Sequence, residues 1–317
     1  MPPDPISPAA TSEPQNADPG HSADYFGDYR DHWWNPDFVE LMAERLKWAN
    51  RSRILEVGSG MGHWTRVIAP HLSPGAAIAC VDHDPKWADP NPAWKQRLTA
   101  QGRLVTIHHA DAALLPFADS SFDFVTCQTV LIHVPDPQRV LQEMIRVLQP
   151  GGLLLCVEPD NFVTSFGETS MSRTDSLDDD VAAVRFALAQ QRGRAKRGLG
   201  NLSLGGRLPG MFAAIGVGNI RTFLSDKAMP LFPPYQVPEQ ASEIHDIKQW
   251  YESGVDFARD EIRKNYLAGG GSEVEFEAHW EHEIFSRGRF LEAIRNNKYD
   301  GAGGTMMYLV SGVKEGS

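Results

Sequence analysis

The residues best placed to do chemistry in this chain stand together at the end of one apolar run. Ile54-Leu55-Glu56-Val57 leads into Gly58-Ser59-Gly60-Met61-Gly62 and then into His63-Trp64. Glycines at alternate positions permit positive φ and let a ligand approach bare backbone. A helix starting after such a loop offers free N–H groups and the positive end of its dipole. The run therefore reads as a ligand cradle outside the carboxyl end of a strand, where open α/β sheets bind. A dinucleotide fingerprint requires G-x-G-x-x-G, but His63 holds the place of its third glycine. A phosphate loop would need Gly-Lys-Ser/Thr, which is absent. What remains is a G-x-G-x-G loop with an acid, Glu56, two residues before its first glycine.

Further polar residues fall at the ends of later apolar runs. Asp82 closes Ala79-Cys80-Val81-Asp82, 22 residues after Gly60. That is the spacing at which a carboxylate accepts from ribose hydroxyls, and His83 beside it is a candidate ribose or adenine contact. Asp111 can accept from an adenine amino group, while the N–H of Ala112 can donate to a ring nitrogen. Gln128 ends a fourth apolar run beside the same cleft. His133 and Glu158 are the candidates for catalysis: His133 facing the cleft as a general base, Glu158 at its rim. Asp84 reads as solvent-exposed.

The elements that must position these groups alternate. Strands are predicted over Ile54–Val57, Ala77–Asp82, Leu104–His108, Phe122–Gln128 and Leu153–Glu158, apolar on both faces like covered parallel strands. Asn35 as N-cap with Pro36 at the first position starts a helix to Trp48 striped by Phe38, Leu41, Met42 and Leu46. Asp136 and Pro137 start another, with Val140, Leu141, Met144, Ile145 and Leu148 buried and Pro150-Gly151-Gly152 as its closing turn. The alternation implies a doubly wound α/β sheet. Beyond Glu158, helices are expected over Val181–Ala189 and Leu208–Ile215, and a sixth strand over Ile220–Leu224. A helical insertion follows, with helices over Glu243–Tyr251, Asp256–Tyr266 and Glu275–Asn296, the last broken near Gly288. Met306–Val310 returns the chain to the sheet. The expected organisation is a disordered tail over 1–22, a core with an N-terminal lid helix over 23–229, a cap over 230–300 and a final strand within 301–317.

Length and composition bound the rest. The chain has 317 residues, 42% hydrophobic and 22% charged, which suits one large α/β domain or two small ones. Lys plus Arg total 30 against 41 Asp plus Glu, a net charge of −11. That weighs against a non-specific grip on nucleic acid, which needs clustered cations. The basic run Arg192–Arg197 reads as a solvated helix end. No stretch is long and apolar enough for a membrane span. The first twenty residues carry six prolines and lack the basic and apolar regions of a signal peptide. Cys80, Cys127 and Cys156 form no disulfide framework and no C-x-x-C pair, so buried thiols in a reducing cytoplasm are expected. No metal motif is present: His245, His279 and His282 read as solvent-facing. Phe232-Pro233-Pro234-Tyr235 reads as a turn into the insertion.

Taken together, LEVGSGMG (Leu55–Gly62), VDHD (Val81–Asp84), DAALLPFADSSFDFV (Asp111–Val125) and LIHVPDPQRVLQEMIRVLQPGG (Leu131–Gly152) resemble the class I S-adenosylmethionine-dependent methyltransferases, in the branch acting mostly on small molecules. These pieces cover about a third of the chain, in family order. The resemblance implies a seven-stranded, mostly parallel Rossmann-like sheet and S-adenosyl-L-methionine as cofactor. It implies that Gly58, Ser59 and Gly60 line the methionine part and that Glu56 places its amino group. Asp82 would hold the ribose, Asp111 and Ala112 the adenine, and Gln128 would meet the methionine moiety. Methyl transfer to a small-molecule acceptor is the expected function. An RNA or protein methyltransferase and a non-catalytic cofactor-binding module are the alternatives. A homo-oligomer is compatible with the sequence.

Overall fold

The computed structural model describes residues 30, 32–89, 91–164, 166–249, 251 and 255–316. The expected tail lies outside the described residues. In chain order the strands are β1 (Arg53–Val57), β2 (Ala77–Asp82), β3 (Leu104–His109), β4 (Phe122–Gln128), β5 (Leu148–Pro159), β6 (Val217–Leu224), β7 (Met229–Leu231), β8 (Gly301–Gly303) and β9 (Met307–Lys314). Seven of them form one sheet in the order β3-β2-β1-β4-β5-β9-β6, and β7 pairs with β8 in a small ladder of its own. Within the sheet β9 alone is antiparallel to its neighbours. The doubly wound seven-stranded sheet with a helical insertion is thus the observed fold.

Alternation along each strand divides the core between the two faces. Ile54, Ile78, Cys80 and Phe124 pack on one side with Trp48, Trp64 and Met42. Leu55, Ala79, Val81, Val125 and Cys127 pack on the other with Leu141, Met144 and Phe212. The three thiols are free and buried. Asp123 fastens the start of β1 by accepting from the N–H groups of Ser52 and Arg53, each at 3.0 Å.

Helices α1 (Pro36–Leu46), α2 (His63–Ile68), α3 (Ala93–Ala100) and α4 (Pro137–Val147) flank this half of the sheet. The buried stripe of α1 runs through Val39 rather than Leu41, which is exposed. Asn35 makes no side-chain cap; its amide donates to Asp226 at 3.0 Å instead. Lys47, at φ 56°, ends α1 before Trp48. Asp136 caps α4 as expected, accepting from the Arg139 N–H at 3.1 Å. The closing turn of α4 differs: β5 begins at Leu148 and runs through Pro150-Gly151-Gly152, with a register shift between Phe122 and Phe124 on β4.

Besides the single turn Asn161–Thr164, the remaining helices are α5 (Leu177–Lys196), α6 (Leu208–Ala214), α7 (Pro238–Gln249), α8 (Val255–Ala268) and α9 (Glu273–Arg295). α6 packs under the sheet through Leu208 and Phe212. α5 packs instead on the insertion, where Ala189 and Phe186 meet Tyr266, Phe276 and Trp280. Gly193 and Gly269 sit at this crossing: a Cβ on either would overlap a carbonyl of the opposite helix, that of Asn265 or of Ala189. The basic run is an exposed helix end, as expected, with Arg192, Lys196 and Arg197 all reaching solvent. Arg197 pairs with Glu261 at 2.8 Å, and Lys196 donates to the Ala268 carbonyl at 3.0 Å. α9 is continuous through Gly288. His279 is half-buried rather than fully solvent-facing; it stacks on Phe186, and burial pushes its imidazole down to about 4. Both α5 and the insertion leave the sheet at the carboxyl ends of β5 and β6. No helix among the described residues is long and apolar enough to cross a membrane.

Candidate active site

The strand order reverses between β1 and β4, so the loops leaving their carboxyl ends diverge and open a crevice. The crevice is narrow, with free room of about 20 Å³. Glu56, Gly58, Ser59 and Gly60 line it from the β1 side, Gln128 and Thr129 from the β4 side, and His63, Trp64 and Arg30 close it. Five residues expected from sequence meet here: Glu56, Gly58, Ser59, Gly60 and Gln128.

The glycine loop is held in shape from below. The N–H groups of Gly58 and Ser59 donate to the Val81 carbonyl at 2.7 and 3.0 Å. Asp82, buried at the end of β2, accepts from the Gly60 N–H at 2.8 Å and from the Asp84 N–H at 3.0 Å. Gly58, Gly60 and Gly62 all have positive φ, at 70°, 47° and 68°. At Gly58 the missing Cβ makes room for Val130, and at Gly62 for the ring of Trp94. The bare backbone thus serves protein neighbours as well as any ligand.

Charge in the cavity is concentrated on two groups. Glu56 is buried and accepts a hydrogen bond from the Thr65 hydroxyl. Burial first, and the nearby Asp82 second, push its carboxyl well above the ordinary range. Arg30 stacks over Trp33 at 5.0 Å and reaches Thr129 Oγ1 at 3.5 Å; burial pulls its guanidinium down to about 10. Between them, Gln128 is buried, and its Nε2 has no hydrogen-bond partner among the described residues. A buried amide without a partner is costly, so this cavity is built for a ligand that brings an acceptor. An acid, a guanidinium and an open amide donor together match a zwitterion with one ammonium and one carboxylate.

Other expected residues lie elsewhere. His83 is exposed, its Nδ1 3.6 Å from Asp82. Asp111 is exposed and accepts from the Ala113 N–H at 2.8 Å, with Ala112 beside it. These three stand on the same sheet edge but outside the cavity lining. His133 is half-buried in the single turn Leu131–His133, also outside that lining. Glu158 is not at a cleft rim. It is fully buried, and it accepts from the N–H groups of Val130 at 2.9 Å, Leu131 at 2.8 Å and Ile132 at 3.4 Å. Burial raises its carboxyl to about 7 despite those bonds. His63, Trp64 and Thr129 join the lining although their sequence context does not mark them for it. The first two follow the glycines directly, and the first turn of α2 aims them inward. Among the described residues no group of His, Cys, Asp or Glu is arranged to hold a metal ion.

Residues 55–156 match the family model described as a methyltransferase domain. Over 107 residues the chain is 36% identical to the demethylmenaquinone methyltransferase of Staphylococcus aureus (strain Newman), a stretch covering 34% of this chain and 43% of the relative. The chain thus spans less than half the length of the curated relatives it matches. Similar solved structures include the YcgJ protein of Bacillus subtilis, at a TM-score of 0.47 and 18% identity over 89% of this chain and 100% of that one. Another is phosphoethanolamine N-methyltransferase 2 of Haemonchus contortus in complex with phosphomonomethylethanolamine and S-adenosylhomocysteine. There the TM-score is 0.44 and the identity 16%, over 88% of this chain and 53% of that one.

Proposed function

On the premise that residues 55–156 are a class I S-adenosylmethionine-dependent methyltransferase domain, we propose that this protein transfers the methyl group of S-adenosyl-L-methionine to a small-molecule acceptor. The observation that carries the reading is the trio in the crevice: the Glu56 carboxyl, the Arg30 guanidinium and the unpartnered Gln128 amide. Glu56 would hold the ammonium of the cofactor's amino-acid end, with Arg30 and Gln128 on its carboxylate. Asp82 orders the Gly60 turn and keeps lone pairs for the ribose hydroxyls. Asp111 and Ala112, farther along the same edge, take the adenine end.

When bound, the cofactor supplies a methyl carbon on an electrophilic sulfonium. The protein's task is then alignment, which can contribute about 7–11 kcal/mol. Glu56, Arg30 and Gln128 would hold the cofactor's amino-acid end so that its methyl group is presented to the acceptor. An acceptor that must shed a proton gives it to water or to His133. Glu158 is a positioning residue: it clamps the turn that carries His133. The small-molecule reading draws on the net charge of −11 and on the helical insertion that leaves the sheet at its carboxyl edge. Isothermal titration with S-adenosyl-L-methionine tests it, followed by methyl transfer from labelled cofactor. Purified, folded protein that takes up no cofactor would end this reading.

A further inference from the structure

We propose that Thr65 is a positioning residue for the cofactor's amino-acid end: its hydroxyl holds the Glu56 carboxyl by one oxygen and leaves the other to face an ammonium in the crevice. The proposal rests on the methyl-transfer reading above. It adds a residue that touches neither the cofactor nor the acceptor.

A glutamate gives up much rotamer freedom when it is fixed. A carboxyl that must meet a ligand at one angle therefore gains from a partner that holds it beforehand. Thr65, the third residue of α2, is that partner. A helical threonine commonly turns its hydroxyl to the carbonyl one turn back. Thr65 instead donates to Oε2 of Glu56, nine residues earlier, and its Oγ1 lies 3.4 Å from Sγ of Cys80. The three side chains come from α2, β1 and β2, and all are buried. Glu56 and Cys80 are register partners in the parallel β1–β2 pair, so both project to the side of the sheet that α2 covers.

The proton count orients the hydroxyl. It has one proton and two lone pairs. Its proton goes to Glu56, so the Cys80 thiol is the donor in the second contact and turns the hydroxyl toward the acid. α2 does not depend on this bond for its seat. Trp64, beside Thr65, donates from Nε1 to Oγ1 of Thr126 on β4 at 2.9 Å. That bond pins the first turn of the helix to the sheet and leaves the Thr65 hydroxyl to serve Glu56.

The consequence for the crevice is directional. Glu56 lines it, and with Oε2 engaged by Thr65 it has Oε1 to offer. A donor to a carboxylate also favours the ionised form, which is the form an ammonium pairs with. Burial first and Asp82 second oppose that form, and Arg66 supports it.

Two ligands separate this role from a structural one. S-Adenosylhomocysteine carries the amino-acid end, whereas 5′-methylthioadenosine keeps the adenosine and the sulfur without it. By calorimetry, Thr65→Val should weaken S-adenosylhomocysteine by about tenfold or more and leave 5′-methylthioadenosine unchanged. Thr65→Ser, which keeps the hydroxyl, should bring the S-adenosylhomocysteine affinity back. If Thr65→Val does not fold, Thr65→Ala takes its place with the same outcome expected. Equal weakening of both ligands, an unchanged S-adenosylhomocysteine affinity, or a serine variant as weak as the valine one would overturn the role of Thr65 alone. A wild type that binds neither ligand would instead overturn the methyl-transfer reading and this inference with it.

Discussion

Glu158 accepts a hydrogen bond from the backbone N–H of Leu131 at 2.8 Å, in a fully buried position between the end of β5 and the turn after β4. The same carboxylate accepts from Val130 and Ile132, so one side chain fixes the turn that carries His133. Glu158→Gln keeps the shape but turns an NH₂ toward backbone donors. An unsatisfied buried donor costs about 1–3 kcal/mol, so Tm should drop by several degrees. The sign of the pH effect is also fixed. The folded carboxyl is raised from 4.5 to about 7, so the native state holds the extra proton between those values. Stability from this group falls as pH rises through that window, by about 1.4 kcal/mol for each pH unit crossed. Denaturation from pH 5 to 8 should show a shallower decline for Glu158→Gln than for the wild type. Parallel declines would mean that Glu158 titrates as it does in the unfolded chain.

Glu56 gives a prediction about the cofactor itself. Burial and Asp82 hold its carboxyl protonated above the usual range, and an arriving ammonium favours the ionised form. Binding should therefore release protons, and affinity should rise with pH until free Glu56 ionises. Titrations at several pH values above the ordinary carboxylate range, in two buffers of different ionisation enthalpy, measure this directly. Glu56→Gln keeps an oxygen for the Thr65 hydroxyl but cannot titrate. It should abolish the proton release and weaken binding by about 1.5–3 kcal/mol. Equal heats in both buffers for the wild type would contradict the assignment of the ammonium to Glu56.

Much of this site is legible in the sequence because its signals are local. The glycine loop, Asp82 at a strand end and the cap of α4 are each written in a few adjacent residues. The burial of Glu158 is not legible, because nothing in Cys156-Val157-Glu158-Pro159 says that three N–H groups from another loop will close over the carboxyl. The reach of Arg30 to Thr129 is not legible either, since it spans 99 residues. The expected break at Gly288 does not occur: one glycine costs only about 1 kcal/mol, which the other 22 positions of a 23-residue helix absorb. The docking of α5 on the cap depends on Gly193 and Gly269 coming into register. No periodicity within either segment reveals that.

Gly58 tests whether the loop is shaped for the ligand or for its neighbour. Its φ is 70°, and a Cβ there would overlap Cγ2 of Val130. The left-handed backbone alone costs an alanine about 1–2 kcal/mol, and the overlap adds to it. Gly58→Ala should lower Tm and weaken cofactor binding at least tenfold. Adding Val130→Ala should recover part of the stability, leaving the conformational cost. A double variant no better than the single one would show that Val130 yields freely, and that the loss at Gly58 lies in the loop alone.

The glycine pair at the α5–α8 crossing separates the cap from the cofactor. A Cβ at Gly193 would overlap the Asn265 carbonyl, and one at Gly269 the Ala189 carbonyl. Backbone cannot swing aside like a side chain, so Gly193→Ala must push the two helices apart or unseat Arg197 from Glu261. Both effects loosen the cap and leave β1 and β4 untouched. Cleavage by a broad protease within residues 235–299 should quicken, and turnover of any acceptor should fall. S-Adenosylmethionine affinity should stay within about twofold, since sites this far apart are close to additive. Gly210→Ala, in α6 with open space around the added methyl, is the control and should be neutral or stabilising by about 0.5–1 kcal/mol. Gly193→Ala behaving like Gly210→Ala would mean that the cap does not need the close crossing. Loss of cofactor affinity in Gly193→Ala would mean that the cap helps to hold the cofactor as well as the acceptor.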